Sequence, residues 1–326
     1  MAIKRANFVD IGLVKLQLPT FFLSISSIKT AMLPAEYIKL LFALRAICPN
    51  FLVSAFDLAQ LPEGSKTELK KILTRAREEG CTVLMDSGNY ESFWKDAQTK
   101  WMPGNFYQVL KEFSCSFAFG FDDQKPPENF EQHKKSIYEH YKFDQSNANP
   151  IPIIPIIHGS PDKLPALCKH IALETRTPMI AVPERRLGEG IFERARTTTA
   201  IREKLSDLDR YVALHLLGTG NPISMGIYVI AGADSFDGLE WCQTVVDYDT
   251  NCLFHFTQAD FFRKQTKWGT ENFAFQPRTL AHNVEYFFSW IKGIREATIS
   301  NSLLNFCRKN FPPHIYDKCV VELGWK

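Results

Sequence analysis

Short apolar segments alternate with amphipathic helical patterns along most of the chain, and this alternation is the feature that most limits its fold. Eight segments are rich in β-branched and aromatic residues and nearly continuously apolar, as in strands buried on both faces. They are Phe21–Ser26, Phe51–Phe56, Cys81–Met85, Phe117–Phe121, Ile151–Ile157, Met179–Val182, Tyr211–Leu217 and Tyr228–Ile230 continuing to Phe236. Eight strands separated by helices, within roughly 220 residues, predict a closed (β/α)8 TIM barrel rather than an open sheet.

Six amphipathic helices are predicted between these strands, at Pro34–Ala46, Thr67–Glu79, Phe106–Phe113, Asn129–Tyr141, Pro161–Thr175 and Ile191–Leu208. Two places fit the pattern poorly. Pro152 and Pro155 argue against a central strand in the fifth segment, because proline lacks the N–H that a strand ladder needs. The link Asn221–Tyr228 is short, so the helix there is abbreviated or misread.

The residue pattern of the sequence changes after residue 240. Residues 1–240 are predicted to form the catalytic barrel, and residues 241–326 an appended, mainly helical subdomain that packs on it, with a helix at Thr279–Ala297. Residues 260–326 carry ten Lys or Arg and six Asp or Glu, a net charge of +4. This basic excess suits either a solvated face or a surface that meets phosphates.

Composition places the chain among soluble globular proteins. Of its 326 residues, 45% are hydrophobic and 23% charged, and the formal net charge is only +2, so charge alone does not predict a nucleic-acid partner. No apolar run approaches the roughly 18 residues of a membrane span, so we expect no signal peptide and no membrane anchor. Eight cysteines at irregular spacing favour a reducing, cytoplasmic location.

Ionisable residues follow the predicted strands at the point where a barrel presents its chemistry, the carboxyl ends. Asp86, Asp122, His158, Glu184 and Asp237 each come directly after a strand segment or close it, and Gly218-Thr-Gly220 follows the seventh. A single acid at such a position is commonly a helix N-cap, and a single histidine is commonly a buried structural residue. Three aspartates, a histidine and a glycine turn around one rim predict an active site.

Four motifs in order resemble the tRNA-guanine transglycosylase superfamily, whose members share a (β/α)8 barrel. Asp86-Ser-Gly-Asn-Tyr90 resembles the family's Asp-Ser-Gly-Gly-Tyr/Phe, and Ala181–Gly190 resembles its Ala-Val-Gly-Gly-Leu-x-x-Gly-Glu block. Leu216–Pro222 is similar to Leu-Met-Gly-Val-Gly-x-Pro, and Gly232–Asp237 to Gly-x-Asp-Met-Phe-Asp. The resemblance covers residues 20 to 240 and implies exchange of a guanine base for a 7-deazaguanine, with no cofactor required for the chemistry.

The resemblance also implies a role for each matching residue. Asp237 would be the covalent nucleophile, and Asp86 a second essential carboxylate that assists proton transfer. In the base pocket, Asp122 would read the guanine N1 and 2-amino donors and Tyr90 would stack on the ring. Leu217 and Gly218 would form the floor, His158 would donate to O6, and Glu184 stands where the family has a glycine that contacts the base.

Departures from the family pattern point to DNA as the polymer. The tRNA enzymes follow the nucleophile with Pro-Thr-Arg-x-x-Arg, whereas Asp237 is followed here by Gly-Leu-Glu-Trp-Cys-Gln243. The chain therefore looks most like the DNA-acting 7-deazaguanine transglycosylases, the DpdA family, which insert 7-cyano-7-deazaguanine (preQ0). That family implies an ATPase or nuclease-like partner protein. Arg185 and Arg186 are candidates for the phosphates beside the target nucleotide, although surface arginines are an equal alternative.

The family's structural zinc site is incomplete in this sequence. Only Cys252, His255 and His282 stand near the family's ligand spacing, and Asp249 or Cys242 is the remaining candidate for a fourth ligand. A zinc ion here would be structural and away from the barrel mouth. Coincidental spacing is the alternative.

Three acids around one pocket predict unequal protonation. Like charges and desolvation raise carboxyl pKa values, so we expect at least one of Asp86 and Asp122 to be protonated or hydrogen-bonded to guanine N–H donors. Three alternatives to the DNA enzyme remain open at this point. They are a transglycosylase that acts on tRNA, a non-catalytic homologue that binds nucleic acid, and a hydrolase in which water replaces the incoming base.

Overall fold

The computed structural model describes residues 5–28, 30–97, 100–125 and 127–325. Its strands are β1 (Phe8–Ile11), β2 (Val14–Gln17), β3 (Thr20–Ile25), β4 (Asn50–Ser54), β5 (Thr82–Asp86), β6 (Phe117–Phe119), β7 (Ile153–Ile154), β8 (Met179–Pro183), β9 (Ala213–Leu217), β10 (Ser235–Gly238), β11 (Thr244–Val246) and β12 (Leu253–His255). Within these residues, β3 to β10 form one parallel sheet in the order β7-β6-β5-β4-β3-β10-β9-β8. A parallel bridge between Ile156 and Ala181 brings its two edges together. The predicted (β/α)8 barrel is confirmed.

Helices follow the barrel strands and continue into the C-terminal region. They are α1 (Pro34–Ala43), α2 (Ala55–Ala59), α3 (Glu63–Glu78), α4 (Asn89–Trp94), α5 (Pro103–Glu112), α6 (Phe130–Ala148), α7 (Leu164–Thr175), α8 (Ile191–Ser206), α9 (Pro222–Ala231), α10 (Glu240–Gln243), α11 (Ala259–Phe262), α12 (Phe275–Ile299), α13 (Leu303–Asn310) and α14 (Pro313–Leu323). The six helices predicted between the strands all occur, with ends that shift by up to seven residues.

Alternate residues of the strands face two different cores. Phe22, Leu84 and Ala213 belong to the cluster inside the barrel, whereas Phe21 and Leu23 pack outward against the helices. The antiparallel hairpin β1–β2 adds Val9, Ile11, Leu16 and Leu18 to the interior cluster. It lies at the end where the strands begin, since Gly12 packs against Pro152, just before β7. That end of the barrel is closed, and the opposite mouth is left for a site.

The two prolines of the fifth segment explain why β7 is only two residues long. The Pro152 carbonyl accepts from the Ala118 amide at 3.0 Å, and the Pro155 carbonyl accepts from the Ala181 amide at 3.0 Å. Proline has no N–H to donate but keeps its carbonyl, so both residues take part in the ladder as acceptors. The strand exists, although the prolines shorten it.

The eighth segment was placed partly in the wrong element. Tyr228–Ile230 lies inside α9, and the last barrel strand is β10, which contains Asp237. Asn221 caps α9, because its side-chain oxygen accepts from the amides of Ile223 and Ser224, and Pro222 stands at the first helical position. The short link was therefore a misread helix, since a buried helix and a buried strand are equally apolar.

The C-terminal region is mainly helical, as predicted, but it begins with a β-hairpin of β11 and β12. The predicted helix Thr279–Ala297 is α12, which extends two to four residues further at each end. The boundary predicted at residue 240 falls within α10, and that helix touches both parts. Among the described residues, no helix has the length and apolar character that crossing a bilayer would take.

Candidate active site

A cavity of about 440 Å³ opens at the carboxyl ends of the barrel strands, within the usual range for small-molecule sites. Its lining includes nine of the ten residues predicted to act on the base or the polymer: Asp86, Tyr90, Asp122, His158, Glu184, Arg185, Leu217, Gly218 and Asp237. Arg186 is outside this lining. The three aspartates that the motifs placed on separate strands therefore meet in one cleft.

Three hydrogen bonds hold the Asp237 carboxylate. Ser24 Oγ donates to Oδ2 at 2.7 Å, and the Gly218 amide donates to Oδ1 at 3.1 Å. His215 Nε2 lies 3.1 Å from Oδ1. Since an ionised carboxylate only accepts, we assign the His215 ring proton to Nε2, and the Ser235 hydroxyl then donates to Nδ1 at 2.7 Å. The side chain is fixed in direction before any ligand arrives.

Asp86 is in a different electrostatic state. Burial raises the pKa of its carboxyl well above the ordinary value, and the negative charge of Glu91 adds to the rise. Asp122 and Asp237 act in the same direction, while the Gly88 amide, which donates to Oδ2 at 2.9 Å, opposes it. Desolvation and like charge therefore disfavour ionisation of Asp86, in the direction expected for several acids around one pocket.

Asp122 and His158 pair with each other across the cavity wall. His158 Nε2 lies 2.6 Å from Asp122 Oδ2, and the Asn89 amide donates to Asp122 Oδ1 at 3.0 Å. The Gln124 amide also donates to this carboxylate. His158 Nδ1 is buried and has no hydrogen-bond partner within the described part of the chain. The contact with Asp122 therefore uses one ring nitrogen and leaves the other buried without a protein partner.

The charged side chains of the segment after β8 are engaged in contacts within the protein, which the motif did not indicate. Both Glu184 carboxylate oxygens are taken, by Arg194 at 2.6 Å and by the Tyr228 hydroxyl at 2.5 Å. Arg185 and Arg186 both donate to Gln124, to its side chain at 2.7 Å and its carbonyl at 3.3 Å. The contacts of Arg185 and Arg186 tie the loop after β8 to the loop after β6. Glu184 is part of the cavity wall, and both of its carboxylate oxygens are already engaged.

Four cavity or near-cavity residues were missed by inspection of strand ends alone. Ser24 and His215 lie inside apolar segments, yet period-two alternation places them on the same inward face as Phe22 and Ala213. This alternation was the signal that could have found them.

The other two missed residues, Glu91 and Glu240, are acids that line the cavity. Burial raises the pKa of each to about 7, helped by the charge of Asp57 on Glu91 and of Asp237 on Glu240. Gly220 and Gly238 leave room for Glu240, because a Cβ on either would lie within 2.4 Å of its Oε2 atom.

The residues suggested for zinc do not form a ligand set in this arrangement. Both ring nitrogens of His282 are engaged, Nε2 with the Val246 carbonyl at 2.8 Å and Nδ1 with the Thr266 hydroxyl at 3.2 Å. His255 is exposed and pairs with Thr257, and Cys252 contacts the Thr250 carbonyl. Among the described residues, no three His, Cys, Asp or Glu side chains are grouped as a metal would need. A structural zinc ion therefore stays a prediction.

Comparison with known proteins leaves the geometry as the main argument. No protein-family model matches the chain, and a search of the curated proteins finds no match. Membership of the transglycosylase superfamily therefore stays a prediction from the four motifs. The cavity and the contrast between its two central carboxyls are the structural evidence that bears on function.

Proposed function

We propose that this chain is a pentosyltransferase that exchanges guanine in DNA for a 7-deazaguanine such as 7-cyano-7-deazaguanine. The observation that carries the proposal is the contrast between two carboxyls in one cavity. Asp237 is held by three hydrogen bonds, whereas burial raises the pKa of Asp86 well above its ordinary value. A nucleophile and an acid in one site are what retaining cleavage of a glycosidic bond requires.

Asp237 supplies the nucleophile in this proposal. Breaking the bond between C1′ and N9 builds positive charge on the sugar, which a nearby carboxylate stabilises and then traps as a C1′–oxygen ester. The bonds from Ser24, Gly218 and His215 orient the carboxylate, so little of its freedom has to be lost during the reaction.

Asp86 balances the protons. Its neutral carboxyl gives a proton to the departing guanine as the C1′–N9 bond breaks, and becomes a carboxylate. The incoming base returns a proton from its N9–H to Asp86 while N9 attacks C1′ and the ester to Asp237 breaks. Net exchange needs neither ATP nor a redox partner, and two displacements on opposite faces retain the configuration at C1′.

Recognition of the base falls to the remaining cavity residues. Asp122 keeps acceptor capacity on Oδ1 for the N1 and 2-amino donors of guanine, because each carboxylate oxygen has two lone pairs. His158 lines the cavity and is the residue that we assign to O6. Tyr90 lines the cavity from α4 and can stack on the ring, which is typically worth about 1–3 kcal/mol. That offsets part of the few kcal/mol needed to flip a nucleotide out of duplex DNA.

A labelling experiment tests the proposal. The protein is incubated with radiolabelled guanine or 7-cyano-7-deazaguanine and either DNA or tRNA, and we expect label in DNA alone. Label confined to tRNA would overturn the assignment of DNA as the polymer substrate. Abasic sites formed without added base would identify a hydrolase, and absence of both would identify a non-catalytic homologue.

The nucleophile is tested separately by Asp237→Asn. We expect exchange to fall by at least about a thousandfold and the covalent protein–DNA adduct to disappear from denaturing gels, since the amide cannot form the ester. Asp207→Asn is the matched control, because Asp207 is exposed beside Lys169 at the end of α8, on the far side of the barrel. Undiminished exchange or adduct in Asp237→Asn would remove Asp237 from the mechanism.

A further inference from the structure

A second cavity, of about 450 Å³, lies at the closed end of the barrel, opposite the candidate active site. Lys15 and Gln17 of β2 line it, together with Asn50 and Thr82, the first residues of β4 and β5. We call it the closed-end cavity. Protein interiors have few voids larger than a water molecule, so the packing of a barrel does not account for a space of this size. Its volume is instead typical of a small-molecule site.

Much of the wall of the closed-end cavity is apolar. Phe21 of β3 and Phe287 of α12 both line it, and their ring centroids are 5.0 Å apart. Phe288, Ile291 and Ile299 line it from the same helix. Aromatic and aliphatic walls of this kind bind the apolar body of a small molecule, because the ligand removes them from water.

Charged side chains line the same cavity, and most of them are basic. Lys15, Lys292 and Arg295 stand against one acid, Glu296, which gives the lining a formal net charge of +2. The Lys292 and Glu296 side chains are 4.0 Å apart and 61% and 68% exposed, so water screens their attraction. The Lys15 ammonium lies 4.9 Å from the ring centroid of Phe8 and has no acid in reach among the described residues. The cavity therefore favours an anion.

Arg295 is more buried than the two lysines, and its position is fixed. Its Nε and Nη2 atoms donate to the Pro19 carbonyl, just before β3, at 3.2 and 3.0 Å. Burial lowers the pKa of the guanidinium, and the charge of Glu296 opposes this only in part. Within the described residues, no carboxylate is within ion-pair distance of Arg295, and Nη1 makes no hydrogen bond. An anionic group would restore the interactions that this cation lost on leaving water.

We propose that the closed-end cavity binds a small amphipathic anion, with an aromatic or aliphatic body against the apolar wall and one acidic group at Arg295. An inorganic anion would leave the wall in contact with water, and an uncharged molecule would leave Arg295 without a counter-charge. The two features together set the class of ligand. This site is separate from the candidate active site, so the inference does not depend on the proposed function.

Two fluorescent probes test the charge and the apolar body separately. The anion 8-anilino-1-naphthalenesulfonate has one sulfonate, and N-phenyl-1-naphthylamine has the same rings without a charge. The full chain is titrated with each probe, and the emission of the probe is followed. We expect saturable binding of both, tighter for the sulfonate. Raising the salt from about 50 to about 500 mM should weaken binding of the sulfonate alone, because salt screens its attraction to the basic lining.

Two substitutions separate the parts of the site. Arg295→Met should weaken binding of the sulfonate probe about 10-fold or more, to the level of the neutral probe, and leave the neutral probe nearly unaffected. Phe288→Ala should weaken binding of both probes, and it leaves the Arg295 contacts with Pro19 in place. Thermal unfolding and circular dichroism check that both variants are folded, since loosely folded chains also bind these dyes.

Arg185→Met is the matched control, because Arg185 is a cation that lines the active-site cavity instead. Binding of the sulfonate probe should be unchanged in this variant. A loss in Arg185→Met rather than in Arg295→Met would place the probe in the active-site cavity and overturn the inference. Absence of binding, equal affinity for the two probes, or undiminished binding of the sulfonate by Arg295→Met would also overturn it.

Discussion

Glu91 is an acid that the chain holds away from water without a positively charged partner among the described residues. Its two oxygens accept from Ser26 and Ser54, and burial raises its pKa to about 7. The pKa of the neighbouring Asp86 carboxyl is raised too, and the charge of Glu91 contributes to that rise. Above about pH 7, where Glu91 itself ionises, its charge disfavours ionisation of Asp86, whose neutral form the proposed chemistry uses.

This burial makes stability depend on pH in a defined direction. Below the ordinary pKa of a glutamate, near 4.5, both folded and unfolded states hold the proton. Between that value and about 7 only the folded state holds it, so stability is lost as pH rises through this window. At about 1.4 kcal/mol per pKa unit, Glu91 accounts for a loss on the order of 2–3 kcal/mol between about pH 5 and pH 8.

Glu91→Gln removes this titration. We expect the free energy of unfolding of the variant, from urea denaturation, to fall on the order of 2–3 kcal/mol less than that of the native chain between about pH 5 and pH 8. Glu78→Gln on α3 is the control, since Glu78 is exposed and its loss should leave the pH slope unchanged. An identical slope in Glu91→Gln would show that Glu91 is ionised throughout.

At the scale of elements, the Gly232–Asp237 motif contains two aspartates with different roles. Asp237 faces the cavity from β10, whereas Asp234 precedes the strand and is buried in an ion pair with Arg202 of α8. Arg202 also donates to the carbonyls of Gly232 at 2.8 Å and Val212 at 2.9 Å. One guanidinium therefore joins α8, the end of α9 and the starts of two barrel strands.

Arg202→Leu should destabilise the chain by about 3–5 kcal/mol, because it leaves the buried Asp234 carboxylate without its cation. Urea denaturation measures the loss. Arg196→Leu on the same helix is the matched control, since its pair with Glu322 is exposed and worth less than about 1 kcal/mol. Similar losses in the two variants would contradict a structural role specific to Arg202.

For the whole molecule, the C-terminal region is connected to the site rather than appended at a distance. The Asn283 amide on α12 donates to the carbonyls of Trp241 and Thr244, each at 2.7 Å. The Trp241 indole in turn donates to the Ser24 carbonyl at 2.8 Å, and Ser24 holds Asp237. A change in α12 can therefore reach Asp237 through two intermediate residues.

Phe287→Ala tests this coupling. Phe287 is buried on α12, with its ring centroid 5.0 Å from that of Phe21 on β3, and its loss should cost about 3–5 kcal/mol. Far-ultraviolet circular dichroism and tryptophan fluorescence should shift to lower urea by the same amount, because barrel and C-terminal region unfold together. The exposed Phe273→Ala should shift neither signal. Two separate transitions in either signal would mean that the C-terminal region unfolds by itself.

The sequence by itself determined the barrel and the rim that carries its polar residues. Eight apolar segments with helices between them admit few closed arrangements, and parallel strands bring their carboxyl ends to one face. Asp86, Asp122, His158 and Asp237 could therefore be placed together from their positions after strands. The alternation of buried and exposed residues could not separate the buried α9 from a strand, because both are apolar throughout.

Only the tertiary structure decided what each of these residues is able to do. Ser24 and Asp237 are 213 positions apart along the chain, and no local pattern relates them. The pairing of Asp122 with His158, the raised pKa of Asp86 and the outward face of α4 likewise depend on the tertiary structure. Hydrogen bonding and desolvation act through space, so the chemical state of a side chain follows from neighbours that sequence order does not reveal.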